Sequence, residues 1–281
     1  GSVVFSHRTA ALIHGLWLLD DDDRVHTSQV KKPKRAVAGR RRHTRILAAE
    51  EITEVNGLRT TTIERTIIDC AKSMHPRDAL VVADSGMRAL VRPRRDSPNR
   101  TARETEKLRA RLLTLAEEGD RRNLRQARAV LAYADPRSES PFETVVRWIG
   151  VSRGLPKPTL QPRYVIDGYE HYPDLRWRLH VVKDGKVVRT ITLLCEYDGK
   201  VKYIPGATDG TGADRELSER VMAERRRQNR LTSLPDTFME RFDSSDLADE
   251  GAIFQRLCSR FLPSWVAGLR PVPELLGPPR H

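Results

Sequence analysis

The chain has 281 residues, 50 lysines and arginines against 38 aspartates and glutamates, a formal charge of +12 with histidines neutral, and 38% hydrophobic residues. This is enough for two ordinary globular domains, and no apolar run reaches the length of a membrane span. The positive surplus points to a polyanion, nucleic acid first, with a basic but ordinary soluble surface as the plainer alternative.

Gly1-Ser2 reads as a cloning remnant. From Ser6 to Gly15 the spacing predicts a short amphipathic helix with Ser6 as N-cap and Gly15 as its stop, and His7 and His14 read as structural. Arg24 to Val30 is strand-like. Lys31, Lys32, Lys34, Arg35, Arg40, Arg41, Arg42 and Arg45 then crowd around Pro33 and Gly39, which predicts a basic loop. Such a loop either contacts phosphates or is a solvated charge run, and no aromatic residues interleave to stack bases. A strand over Ile46 to Val55 enters a tight turn at Asn56-Gly57, and Leu58 to Thr61 resumes it. Thr62 to Lys72 and Pro76 to Leu90 read as helices, with Ile63, Ile67 and Ile68, then Ala79, Leu80 and Ala83, on their apolar faces. Cys70, Cys195 and Cys258 lie far apart without metal-ligand spacing, as expected of reduced, buried thiols in a cytoplasmic protein.

Ser6-His7-Arg8-Thr9-Ala10-Ala11, Asn56-Gly57-Leu58-Arg59-Thr60-Thr61, Glu64-Arg65-Thr66-Ile67-Ile68-Asp69 and Ala79-Leu80-Val81-Val82-Ala83-Asp84 resemble the middle region of bacterial and phage proteins of the AbiEi antitoxin type. The resemblance covers roughly the first ninety residues. In that family a winged-helix DNA-binding domain usually precedes this region, and the sequence here has none. The resemblance implies a small mixed α/β domain over 1–92 and a setting in phage defence or mobile elements, with a toxin or phage protein as partner.

Arg92 to Arg100, with Pro93 and Pro98, punctuates the chain, and Thr101 to Ala134 predicts a helical hairpin broken at Gly119-Asp120. We expect 93–134 to be a basic helical linker. Ser140, Pro141 and Glu143 then form a capping box for a helix over Pro141 to Ser152, so Glu143 is either a cap or a member of an active site. Strands follow around Gln161 to Ile166, over Tyr172 to Val182 and over Val187 to Glu196, with turns at Asp167-Gly168 and at Lys183-Asp184-Gly185-Lys186. A Gly-rich loop over Pro205 to Gly212, a long helix over Arg215 to Leu231, a strand over Phe238 to Phe242 and a helix over Ala248 to Phe261 complete the order.

The strand ending at Glu196 carries the chemistry. Ile191 to Leu194 suit a strand buried on both faces, and the run closes on Glu196 and Asp198 before Gly199. Period-two alternation puts Glu196 and Asp198 on one face, and antiparallel pairing across the hairpin sets Asp174 beside Glu196. Like charges so close repel unless a cation or a shared proton lies between them. Ion pairing with Arg176 or Lys200 at an ordinary strand end is the bland reading. If the site is idle, removing a crowded carboxylate should raise stability.

A helix, three antiparallel strands, a helix and a strand around carboxylates is the layout of the PD-(D/E)XK nuclease core. Ser138 to Glu143, Pro173-Asp174-Leu175, Glu196 to Tyr203, Glu224 to Leu231 and Asp246-Leu247 resemble, in order, endonuclease-like domains related to the very-short-patch-repair enzymes. The resemblance implies a nuclease-like core over 135–281 in which Asp174 and Glu196 hold Mg²⁺ or Mn²⁺ and the metal activates water against a phosphodiester. The lysine usual two residues after the glutamate is Asp198 here. Either Lys200 or Lys202 supplies that charge, or Asp198 is a further metal ligand. Arg225, Arg226, Arg227 and Arg230 on the long helix would meet phosphates or form a solvated face.

The expected architecture is therefore α/β: a small mixed domain, a helical linker and a mixed sheet flanked by helices. The expected function is DNA binding with a divalent-metal-dependent endonuclease site. The alternative is an inactive antitoxin-like regulator or partner-binding protein. A homodimer is compatible with either reading, and no membrane partner is expected.

Overall fold

A computed structural model describes residues 3–19, 22–31, 35–118, 121–198 and 226–277. The chain divides into two compact units, one of 1–148 with 271–281 and one of 149–270. The 93–134 stretch, expected as a linker, forms helices inside the first unit, and the C-terminal residues 271–277 return to it.

In the first unit, β1 (Val4–Phe5), β2 (Val25–Gln29), β3 (Arg40–Thr44), β4 (Ile52–Val55) and β5 (Leu58–Thr61) form a sheet in the order β3-β2-β1-β5-β4. β2 pairs with β3, and β1 with β5, in parallel; the other two pairings are antiparallel. The part of the expected basic loop that carries Arg40, Arg41 and Arg42 is thus an edge strand. One side of its backbone pairs with β2, and its arginines make the outer side a charged edge that discourages pairing with another chain. The strand expected from Ile46 starts only at Ile52, because Ala49–Glu51 take a 3₁₀ turn. Asn56 and Gly57 both have positive φ, 49° and 76°, the type I′ geometry that matches strand twist.

The sheet is accompanied by α1 (His7–Ile13), α2 (Ile63–Ser73), α3 (Pro76–Val91), α4 (Pro98–Glu118) and α5 (Leu124–Tyr133). Thr62 caps α2 by accepting from Arg65 N at 3.3 Å. Ser6 occupies the N-cap position of α1 without capping it. Its Oγ instead accepts from Ser28 Oγ at 2.8 Å and lies 2.9 Å from His7 Nδ1. Every residue of α3 from Ala79 to Met87 is buried, including Asp84, so this helix is the core of the unit. The Asp84 carboxylate accepts from Thr144 Oγ1 at 2.7 Å, from Asp135 N at 2.8 Å and from the Arg147 guanidinium. Burial pushes its carboxyl above the usual range, opposed by Arg147. This network holds α6 (Pro141–Ser152) by its first two turns.

In the second unit, β6 (Thr159–Leu160), β9 (Leu175–Lys183), β10 (Lys186–Tyr197) and β11 (Thr237–Phe242) form a mixed sheet in the order β11-β10-β9-β6. β7 (Tyr164–Ile166) and β8 (Tyr169–His171) make a separate hairpin. The single strand expected around Gln161 is therefore two, split where Gln161 takes φ 49° and turns the chain. β9 and β10 are joined by Asp184 and Gly185, both at positive φ, and β10 runs antiparallel to β9 but parallel to β11. A parallel neighbour requires a crossover, and a helical stretch at 226–232, here α7, precedes β11.

β10 is central, and Ile191 to Glu196 are buried. Trp177 on β9 is 1% exposed and donates its indole N–H to Pro156 O at 2.8 Å, so its polar edge is satisfied while its rings fill the core. Burying such a side chain contributes about 2–3 kcal/mol. Gly150 on α6 lies against it: a Cβ there would stand 3.1 Å from the Trp177 ring and 3.0 Å from Leu155. α8 (Glu250–Cys258) buries Ile253 and Leu257. Among the described residues no helix is long and apolar enough to cross a membrane.

Candidate functional site

The register of β9 and β10 pairs Leu175 with Cys195, so the next step beyond the ladder sets Asp174 opposite Glu196. The hairpin thus brings the two carboxylates expected from the sequence to one end of the sheet. The neighbouring strand places Arg241 beside Glu196, because β10 and β11 pair those two residues directly.

Glu196 is 5% exposed, and arginines answer its charge. Arg241 lies 3.3 Å from Oε2, Arg227 Nη1 donates to Oε2 at 3.2 Å, and Arg227 Nη2 donates to Oε1. Asp198 lies on the same face, as alternation requires, and Arg241 Nη1 donates to its Oδ2 at 3.4 Å. One guanidinium therefore bridges Glu196 and Asp198. The Asp198 side chain is 55% exposed, so its half of the bridge is screened and weak. The Asp174 carboxylate accepts from Tyr197 N at 2.8 Å and from Gln161 Nε2 at 3.1 Å.

The donor set has the hard oxygen chemistry that Mg²⁺ takes, but its arrangement does not fit a bound ion. The carboxylates of Asp174 and Glu196 accept N–H donors at both oxygens, and among the described residues no group of three His, Cys, Asp or Glu side chains is placed to hold a metal. Cations of another kind, Arg227 and Arg241, relieve the repulsion expected at this strand end.

The remaining expected site residues are spread more widely. Glu143 lies in the first unit, where its Oε2 accepts from Glu139 N at 2.9 Å and its own N–H donates to Ser140 Oγ at 3.1 Å. This is the capping role. Lys200, Lys202 and Arg225 lie outside the described residues, as do Lys32 and Lys34. Lys31 and Arg35 are exposed in bends, Arg40 and Arg41 are exposed on β3, and Arg42 is half-buried there. On α7, Arg226 is exposed, Arg227 engages Glu196, and Arg230 stacks 4.0 Å over the Tyr169 ring with Asp167 3.8 Å away.

Arg241 and Gln161 belong to the site and were not expected there. Arg241 was legible only through the parallel pairing of β11 with β10, which residue patterns do not reveal. Gln161 gave no signal, because a strand through it hides the bend that turns its amide toward Asp174.

No family model matches the chain, and no solved structure matches it. Two relatives in different strains of Mycobacterium tuberculosis, "Uncharacterized protein MT2308" and "Uncharacterized protein Rv2248", are each 27% identical over 169 residues. The match covers 60% of this chain and 55% of each relative, so the chain spans about half the length of the curated relatives it matches.

Proposed function

We propose that the protein binds DNA and that its second unit is an endonuclease domain of the PD-(D/E)XK kind, cutting or nicking with Mg²⁺ or Mn²⁺. The observation that carries this reading is the topology of the second unit: the last turn of α6, then β6, the separate β7–β8 hairpin, β9 and β10 antiparallel, then α7 and a parallel β11, with Asp174 opposite Glu196 where β10 ends. With the β7–β8 hairpin set aside, that order resembles the helix, three strands, helix and strand of the nuclease layout, which supports the reading. The charge of the chain, +12, supports a polyanionic substrate. On this reading Asp174, Glu196 and Asp198 would hold the metal only in an arrangement other than the one described, with the guanidiniums of Arg227 and Arg241 turned away from Glu196. Released, those guanidiniums are suited to phosphate oxygens.

A second reading, a catalytically idle regulator or partner-binding protein of phage-defence or mobile-element systems, is favoured by that same arginine pairing.

Supercoiled plasmid incubated with the full chain and millimolar Mn²⁺ or Mg²⁺ separates the two. The first reading expects nicked or linear product in wild type and none in Glu196→Gln or Asp174→Asn, with DNA binding retained in both variants. Intact plasmid in every lane, with no change in melting temperature on adding either metal, overturns it in favour of the second.

A further inference from the structure

A cavity of about 980 Å³ opens in the first unit between β3, the turn that follows it, α2 and the end of α4. Arg41, Arg42 and Arg45 line one wall, and Lys72 and Arg122 contribute from the helical side. Asp69 also lines the cavity and is 3% exposed. Arg65 holds its Oδ1 through Nε at 2.9 Å, yet Oδ2 is buried and accepts no hydrogen bond among the described residues. Leaving a buried carboxylate oxygen without a donor costs on the order of 1–3 kcal/mol, so the position asks for an N–H or O–H from elsewhere.

The nearest ring does not supply one. His7 Nδ1 stands 3.8 Å from Oδ2, beyond hydrogen-bond distance, and is already 2.9 Å from Ser6 Oγ. His7 is held at φ 54°, a conformation that non-glycine residues adopt at a cost, and its ring stacks on His43 with centroids 3.5 Å apart. Burial, then His26 and the arginines Arg65, Arg41 and Arg45, drives the His7 imidazole down to about 3. Burial and then His7 do the same to His43, which also falls to about 3. Both rings are therefore neutral near pH 7 and leave the negative charge of Asp69 unanswered on this side. Stacked rings also present their faces to one another, so this pair is not arranged as metal ligands.

A basic wall facing a buried acceptor defines a ligand with an anionic end and a donor edge. We infer that this cavity is a nucleotide-binding site, in which the arginines of β3 and its following turn, with Lys72, take the phosphate and Asp69 Oδ2 takes an N–H of the base. The nucleotide is either free or the phosphorylated end of a strand, since both present the same chemistry. Glu51, also on the lining, is held by Arg65 at 3.1 Å, and of the lining cations Lys72 also donates to Ala116 O at 2.8 Å and Arg42 to Arg35 O, contacts that a phosphate would share or replace. The site lies wholly in the first unit and does not depend on the second unit being a nuclease.

The test uses the full chain, with calorimetric titration and melting temperature as readouts. The probes are AMP, GMP, inorganic pyrophosphate and an oligonucleotide of ~8 nucleotides with and without a 5′-phosphate. A nucleotide is expected to bind at least tenfold tighter than pyrophosphate and to raise the melting temperature. Arg41→Ala with Arg42→Ala should weaken it at least tenfold without altering the melting temperature of the unliganded protein. Asp69→Asn should remove the preference over pyrophosphate; because that change also touches Arg65, the ratio of the two affinities is read rather than either alone. Tighter binding of the 5′-phosphorylated oligonucleotide than of its unphosphorylated twin and of the mononucleotides assigns the site to strand ends; the reverse assigns it to free nucleotide. The inference is overturned if no phosphorylated probe binds at millimolar concentration, if pyrophosphate binds as tightly as every nucleotide, or if the double arginine variant binds unchanged. A melting shift seen only with Zn²⁺ and lost in His43→Ala overturns it as well.

Discussion

Glu196 is a carboxylate between two guanidiniums, and that changes what its removal should do. Crowding of like charges would make Glu196→Gln stabilising in an idle site. With Arg227 and Arg241 in place the sign reverses, because the amide removes the buried carboxylate that both guanidiniums pair with and leaves Arg241 only the exposed Asp198 side of its bridge. We expect Glu196→Gln to lower stability by about 1–2 kcal/mol in urea unfolding without metal, and Asp198→Asn, on the exposed end of the bridge, to change it by less than about 0.5 kcal/mol. A Glu196→Gln protein as stable as wild type would show that the arginines do not hold this residue in solution. The measurement is independent of cleavage, so it reads the arginine pairing whether or not the site is active. His14 shows how closely a structural role can be read at this scale: its Nε2 lies 2.7 Å from Thr61 O, fastening α1 to β5. His7, read in the same way from the sequence, faces the cavity instead. Apart from Ser6 Oγ, the neighbours that set the position of His7 come from β2, β3 and α2, which no local pattern reveals.

At the scale of elements, local rules were legible and pairing partners were not. The turns at Asn56-Gly57 and Asp184-Gly185 and the helix over Pro141 to Ser152 stand where the residues put them, since turn chemistry and capping act within four or five positions. β3 was hidden because five polar residues in a row, Arg40 to Thr44, carry no alternation; its strand state comes from β2 across the sheet. The convergence of Asp174 and Glu196 followed from a hairpin and was legible, whereas Arg241 needed a parallel partner distant in sequence. The start of α6 offers the test that assigns Glu143. As a cap, Glu143→Ala should lower stability by about 1 kcal/mol and Glu143→Gln, which keeps an acceptor for Glu139 N, by less than half of that. Plasmid nicking, where present, should survive both. A Glu143→Gln protein that melts like wild type but has lost nicking would move the residue into the active site.

For the whole molecule, the surplus of positive charge becomes a claim about DNA only when it is assigned to particular arginines, and the structure sorts them by what they already touch. Arg40 on β3 and Arg226 on α7 are exposed, whereas Arg227 is committed to Glu196 and Arg230 to the Tyr169 ring. An exposed arginine that neutralises one phosphate releases counterions and adds about 0.9 to the slope of log affinity against log salt. Binding to a duplex of arbitrary sequence should therefore weaken steeply as salt rises. Arg40→Ala and Arg226→Ala should each reduce the slope by about one, and together by about two if both units contact the same duplex. Arg227→Ala should leave the slope nearly unchanged in the metal-free protein, since its guanidinium is held by a carboxylate, and should lower stability instead. A reduction from Arg226→Ala alone would confine DNA to the second unit, and one from Arg40→Ala alone to the first. An affinity that does not move between low and moderate salt would remove DNA from the reading and leave a protein partner as the target of the basic surface.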